Sequence, residues 1–166
     1  MNATERTFPA LGVLTLQGDY EAHRRALREL GLEAVAVRTP QALDAIDGLV
    51  MPGGESSALL KLMERWSFLV ALREFHRRGG AIFGTCAGAI LLSLRVTNPS
   101  QESLGLMDID IERNAYGRQL ASHVVRIEAE GGPLEAVFIR APVIRRVGAG
   151  ARVLARHNGD PVLVKQ

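Results

Sequence analysis

The five residues Gly84-Thr85-Cys86-Ala87-Gly88 have the form glycine–x–nucleophile–x–glycine, and Cys86 is the only cysteine in the chain. They follow a short apolar run, Ala81-Ile82-Phe83, and precede a segment that reads as a helix through Leu94. In this context the pattern predicts a nucleophile elbow, a sharp strand-to-helix turn that strains the backbone of its middle residue. The positions two residues away crowd such a turn, so both must be glycine. The turn would lift the Cys86 sulfur clear of the sheet and set it at a helix N-terminus, where the dipole favours thiolate over thiol. The Ala87 amide would then point toward an oxyanion formed by attack. The opposing reading is a structural cysteine buried between packing glycines, because free cysteine is among the most buried residue types. Agreement between both glycines, the strand and the helix favours the nucleophile.

A second element, Pro52-Gly53-Gly54-Glu55-Ser56-Ser57, ends an apolar run at Gly48–Met51. In open parallel sheets ligands bind beyond the C-terminal ends of strands, near the point where strand order reverses. Gly53 and Gly54 allow close approach of backbone to substrate, and the Gly54 amide could complete an oxyanion hole with Ala87. Alone, the stretch is equally an ordinary turn capped by Glu55 and Ser56 at the next helix. Its position one strand before the elbow gives it weight.

Alternating periodicities position these two loops. Leu11–Leu16 reads as a buried strand ended by Gly18-Asp19. Tyr20–Leu30 places Ala22, Ala26, Leu27 and Leu30 on one helical face, with Gly31 as the stop. Leu32–Val37 and Gly48–Met51 are further strands, separated by a short helix that Thr39-Pro40 opens. Helices at Ser57–Glu64 and Ser67–Arg78 lead to the strand before Cys86. This alternation implies an α/β fold with a parallel sheet. The second half is strand-rich, at Met107–Ile111, Ser122–Ala129, Ala136–Ile139, Arg152–Arg156 and Val162–Val164. Asn158-Gly159 is a hairpin signal. The expectation is a three-layer, flavodoxin-like mixed sheet in a single domain, residues 1–166, with antiparallel strands completing the core.

Composition excludes several classes. With 166 residues, 47% of them hydrophobic, the chain is neither disordered nor repetitive. One cysteine cannot form a disulfide framework, which suits a reducing compartment. The formal net charge is only +2, and Lys61 and Lys165 are the only lysines, so nucleic-acid binding gains no support. The most apolar stretch, Ala81–Leu94, falls short of the roughly 18 residues a membrane span needs, and no signal peptide is legible. A cytoplasmic protein with no membrane partner is expected. No metal-ligand spacing is present.

The two loops resemble those of class I (triad-type) glutamine amidotransferases, and the sequence is similar to the PdxT family, the glutaminase subunits of pyridoxal 5′-phosphate synthase. The matching stretches are Gly12-Val-Leu-Thr-Leu-Gln-Gly18, Pro52-Gly-Gly-Glu-Ser56, Phe83-Gly-Thr-Cys-Ala-Gly88, Leu104-Gly-Leu106, Glu112-Arg-Asn-Ala-Tyr-Gly-Arg-Gln119 and Val137-Phe-Ile-Arg-Ala-Pro142. The last two distinguish this family from other amidotransferases. The resemblance implies hydrolysis of L-glutamine to glutamate and ammonia through a thioester on Cys86. It further implies that Gly54, Glu55, Ser56, Arg113, Ile139 and Arg140 contact L-glutamine, with Gly54 and Ala87 as the oxyanion hole. A guanidinium such as that of Arg113 suits bidentate recognition of a carboxylate. No cofactor or metal is implied. The implied partner is a PdxS-type (β/α)8-barrel synthase subunit that receives the ammonia.

One departure concerns the base. In this family a His-Pro-Glu-Leu motif follows the last strand and supplies the triad histidine and glutamate, whereas the present sequence reads Pro161-Val-Leu-Val-Lys-Gln166 to its end. His23, His76, His123 and His157 do not match the family histidine, and solvated helical faces account for His23 and His76. The expectation is a shortened domain lacking its C-terminal His/Glu segment, inactive or nearly so by itself. Two other readings compete. A DJ-1/PfpI-like cysteine protein would use a carboxylate after the first strand, Asp19 or Glu21, to tune the thiol. A catalytically inactive partner-binding subunit would retain only the docking role.

Overall fold

A computed structural model describes residues 9–115, 123–138 and 142–166. They fall into two compact units, divided between Leu91 and Leu92.

The first unit is built from β1 (Leu11–Leu14), α1 (Tyr20–Glu29), β2 (Ala34–Val37), a 3-10 turn (Pro40–Ala45), β3 (Gly48–Met51), α2 (Ser56–Arg65), α3 (Phe68–Arg77), β4 (Ala81–Gly84) and α4 (Ala87–Leu92), which reaches the division. Its four strands form one parallel sheet in the order β2-β1-β3-β4. Strand order therefore reverses between β1 and β3, as in flavodoxin-like sheets. Val13, Leu14, Leu49 and Met51 from the strands pack with Leu59, Met63, Phe68, Leu72 and Phe75 from the helices, each at most 2% exposed. Alternation of these apolar positions at helical spacing on α2 and α3 is what seats both helices on the sheet.

Element ends follow local chemistry. Asp19 caps α1, accepting from the Ala22 amide at 3.3 Å. Gly31, at φ +74°, lets the chain reverse so that its own amide reaches the Arg28 carbonyl and that of Leu32 reaches Leu27. The apolar face expected on α1 is only half realised. No α1 residue is fully buried, and Leu30, which caps the helix C-terminus, is 74% exposed. The helical segment after Cys86 also ends earlier than its apolar run suggests, with Leu92 its last residue.

In the second unit, β5 (Ser93–Thr97) pairs parallel with β6 (Met107–Glu112), and β9 (Val143–Val147) pairs antiparallel with β6. The remaining strands, β7 (His123–Ala129), β8 (Gly132–Phe138), β10 (Arg152–His157) and β11 (Asp160–Lys165), form an antiparallel sheet in the order β11-β10-β7-β8. The Asn158-Gly159 hairpin is formed, with φ +50° and +88° at the two turn residues. The antiparallel strands expected to complete the parallel sheet instead hydrogen-bond in two further sheets, one of them mixed through the parallel β5–β6 pair. Among the described residues, no helix is long and apolar enough to cross a membrane.

Candidate active site

The sharp strand-to-helix turn expected around Cys86 is formed. β4 ends at Gly84, α4 begins at Ala87, and Cys86 between them has φ +47°, a left-handed conformation that costs a non-glycine residue about 1–3 kcal/mol. Surrounding bonds hold it there. The Thr85 amide donates to the Met51 carbonyl at 3.1 Å, Gly88 donates to Thr85 at 2.8 Å, and Ile90 donates to Cys86 at 3.0 Å. The turn also leaves no space for side chains at its two glycines. A Cβ on Gly84 would lie 2.6 Å from the Gly88 carbonyl carbon, and one on Gly88 would run into the Met51 carbonyl oxygen. Cys86 itself is half-buried. Since α4 has six residues, its dipole is that of under two turns.

The β3 loop lies against Cys86. A Cβ on Gly53 would sit 3.3 Å from the Cys86 Cβ, so the Gly53 backbone forms one wall beside the sulfur-bearing carbon. The loop after β1 closes on the same place: the Asp19 amide donates to the Gly53 carbonyl at 3.0 Å. The Gln17 side chain packs against Gly54, and its buried Oε1 has no hydrogen-bond partner among the described residues. Three strand-to-helix loops thus meet at the C-terminal ends of β1, β3 and β4, where the parallel topology places ligand sites.

Glu55 has a defined structural duty. Its carboxylate caps α2, accepting from the amides of Ser57 at 3.1 Å and Ala58 at 2.6 Å. Ser56 is 3% exposed in the first turn of the same helix. Gly54 and Glu55 are both exposed, and Ala87 is buried. Arg113 lies in the second unit just after β6, half-buried, its amide donating to the Thr97 carbonyl at 3.0 Å. Ile139 and Arg140 lie outside the described residues.

His23 departs from its expected solvated setting. It is half-buried, and its Nε2 is 2.9 Å from the Thr85 hydroxyl, the residue directly before Cys86. Burial holds its pKa below the ordinary 6.5, against the opposing pull of Asp19, so the ring is neutral at neutral pH. The available signal was its place four residues after Asp19, in the first turn of a helix that starts beside the strand ends. Thr85 and Gln17 were likewise inside recognised stretches without being singled out. Of the other histidines, His76 is exposed on α3, and His157 stacks on Phe138 in the second unit with ring centroids 5.1 Å apart. The two carboxylates offered for a DJ-1/PfpI-like thiol have other occupations, Asp19 as the α1 cap and Glu21 in an ion pair with Arg24 at 3.0 Å.

Comparison with known proteins agrees with this geometry. The SNO glutamine amidotransferase family matches residues 13–166. The pyridoxal 5′-phosphate synthase subunit PdxT of Solibacter usitatus is 50% identical over 164 residues, covering 94% of this chain and 85% of that protein. The PdxT of Koribacter versatilis is 51% identical over 158 residues, covering 94% and 81%. A crystal structure of a glutamine amidotransferase superposes with a TM-score of 0.89 at 45% identity, covering 95% of this chain and 85% of that one. PurLQS from Thermotoga maritima shares the fold alone, with a TM-score of 0.64 at 18% identity over 89% of this chain and 74% of that one. With an elbow cysteine at the open end of a parallel sheet and a family match from β1 to the last residue, the chain belongs to the SNO glutamine amidotransferase family.

Proposed function

We propose that this chain is the glutaminase subunit of a pyridoxal 5′-phosphate synthase, hydrolysing L-glutamine to L-glutamate and ammonia. The observation that carries the reading is Cys86 held at φ +47° with the Gly53 backbone against its Cβ. The Cys86 sulfur attacks the side-chain amide carbon of glutamine, forming a carbon–sulfur bond and a tetrahedral oxyanion. Amides of Gly54 and Ala87 would stabilise that charge. Collapse breaks the carbon–nitrogen bond, and the nitrogen leaves as ammonia with the proton given up by the thiol. Water then attacks the γ-glutamyl thioester, restoring the thiol and releasing glutamate. Gly54, Glu55 and Ser56 would line the substrate, and Arg113, Ile139 and Arg140 would add contacts, Arg113 to a carboxylate. Since the Glu55 carboxylate caps α2 and its carbonyl accepts from the Leu59 amide at 3.0 Å, any contact it makes with substrate must be compatible with both bonds.

Both proton transfers need a base and acid, a duty that a positioned histidine and its carboxylate perform in triad enzymes. Residues 1–166, read as part or all of one amidotransferase domain, contain no His-Pro-Glu-Leu motif, and His23 faces Thr85. The ammonia acceptor would be a PdxS-type (β/α)8-barrel subunit, and docking would switch the glutaminase on.

Glutamine-dependent ammonia release, measured with and without a PdxS-type subunit from a relative, tests this reading. The 166-residue polypeptide should release almost none alone. The same chain extended by a relative's His-Pro-Glu-Leu segment should gain about tenfold or more on adding the synthase subunit. Equal rates with and without that subunit would remove the partner from the account.

A further inference from the structure

One side-chain pair links α1 to the elbow among the described residues. His23, in the first turn of α1, meets the Thr85 hydroxyl at 2.9 Å across a separation of 62 residues. Thr85 is held at its other end as well, through its amide on the Met51 carbonyl. Its hydroxyl also lies near the Gly53 wall, 3.9 Å from where a Gly53 Cβ would be. Cys86 is therefore the pivot between a residue fixed at both ends and the start of α4. A left-handed cysteine persists only when its surroundings over-determine it. The two backbone bonds of Thr85 fix its main chain, whereas the His23 contact fixes its side chain.

We propose that His23 is a positioning residue for the Cys86 nucleophile, acting through the Thr85 hydroxyl to keep the elbow in its strained form. This rests on the reading of Cys86 as nucleophile. The neutral ring suits the task, because Nε2 can either accept from the Thr85 hydroxyl or donate to it, according to tautomer. His23 is half-buried, and the contact itself is part-buried. Asp19, at the N-cap of the same helix, is the charged neighbour, and Cys86 is the titratable group on the elbow side.

Two substitutions remove the contact, His23→Leu and Thr85→Val, and two retain a hydrogen-bonding group, His23→Gln and Thr85→Ser. The primary measurement is the rate of Cys86 alkylation by iodoacetamide, which has no other cysteine to label. The first pair should lose about tenfold in alkylation rate and, in the chain extended by a relative's His-Pro-Glu-Leu segment and assayed with the synthase subunit, about tenfold in kcat, with KM for glutamine within about twofold of the extended wild type. The second pair should recover most of both. His23→Leu combined with Thr85→Val should be no worse than the more severe single change, since both break one interaction. Should His23→Leu fail to fold, the Thr85→Val and Thr85→Ser comparison carries the test. Wild-type alkylation in both disruptive variants, losses that multiply in the double variant, or absence of recovery in the conservative pair would overturn the proposal. If alkylation responds as expected while no version releases ammonia from glutamine, the positioning role stands and the glutaminase reading falls.

Discussion

Gly88→Ala is expected to abolish reaction at Cys86 and to weaken the fold by about 3 kcal/mol. The added Cβ would collide with the Met51 carbonyl oxygen, with the Met51 carbonyl carbon and Cβ 2.9 Å away. Two of those three atoms are backbone at the end of β3, so no rotamer change relieves the clash. Either α4 shifts away from β3, or the Thr85 amide loses the same Met51 oxygen that it bonds at 3.1 Å. Both routes release Cys86 from φ +47°. Gly159→Ala is the matched control. Gly159 also has positive φ, at +88°, but a Cβ there meets nothing within 4 Å, so only the conformational penalty of about 1–2 kcal/mol applies. Thermal unfolding and iodoacetamide labelling of both variants give the comparison. A Gly88→Ala protein with wild-type melting and labelling would show that the elbow is not as tightly built as described.

That collision explains why the elbow was legible in the sequence. Glycine at positions 84 and 88 is demanded by backbone contacts that any such turn creates, so spacing alone encodes the geometry. The Asn158-Gly159 hairpin was legible for the same reason, since both of its residues adopt positive φ. The strands β5 and β9 were not. β5 begins at Ser93, directly after α4 ends, so its apolar residues blend with the helical run before it. β9, Val143-Ile-Arg-Arg-Val147, carries two arginines that look like loop residues in a local window. Across the pairing they meet acids of β6: Arg145 binds Glu112 at 2.6 Å, and Arg146 binds Asp108 at 2.7 Å and Asp110 at 3.0 Å. Partners more than thirty residues away supply what the local pattern lacks.

The site was legible to a similar depth. Cys86 and the Gly53-Gly54 wall could be placed because each follows an apolar strand, and parallel topology brings strand ends together. The His23–Thr85 contact could not, because it depends on how α1 packs across the sheet. A helical face with Arg24, Arg25 and Arg28 around one histidine reads as solvated. In the fold, the first turn of α1 abuts the elbow while its last turn stays exposed. Glu55 shows the opposite lesson. Its ordinary reading, a helix cap, is realised with two hydrogen bonds, and any part in substrate binding must be compatible with that duty.

Cys86→Ala should eliminate glutamine-dependent ammonia release by the triad-completed protein with its synthase subunit, by about 10⁴-fold or more. Removing the nucleophile from a unit that works as a whole forfeits nearly all of its catalysis, because no other described side chain in the first unit is a thiol. Stability should change little: the cysteine is half-buried and makes no disulfide. Binding to the synthase subunit should persist, which separates a catalyst from a subunit that serves only to dock. Ammonia assays paired with a pull-down measure both properties. Residual turnover near the wild-type rate would dismiss Cys86 as nucleophile, whereas loss of docking would give it a structural part instead.

Mass spectrometry after exposure to a glutamine-analogue electrophile, one whose reactive carbon replaces the side-chain amide, tests the central claim most directly. The prediction is one adduct per chain, located on Cys86, formed faster with the synthase subunit present and slowed by excess L-glutamine. An intact mass with no adduct in the complete assembly, or labelling that glutamine does not slow, would contradict it.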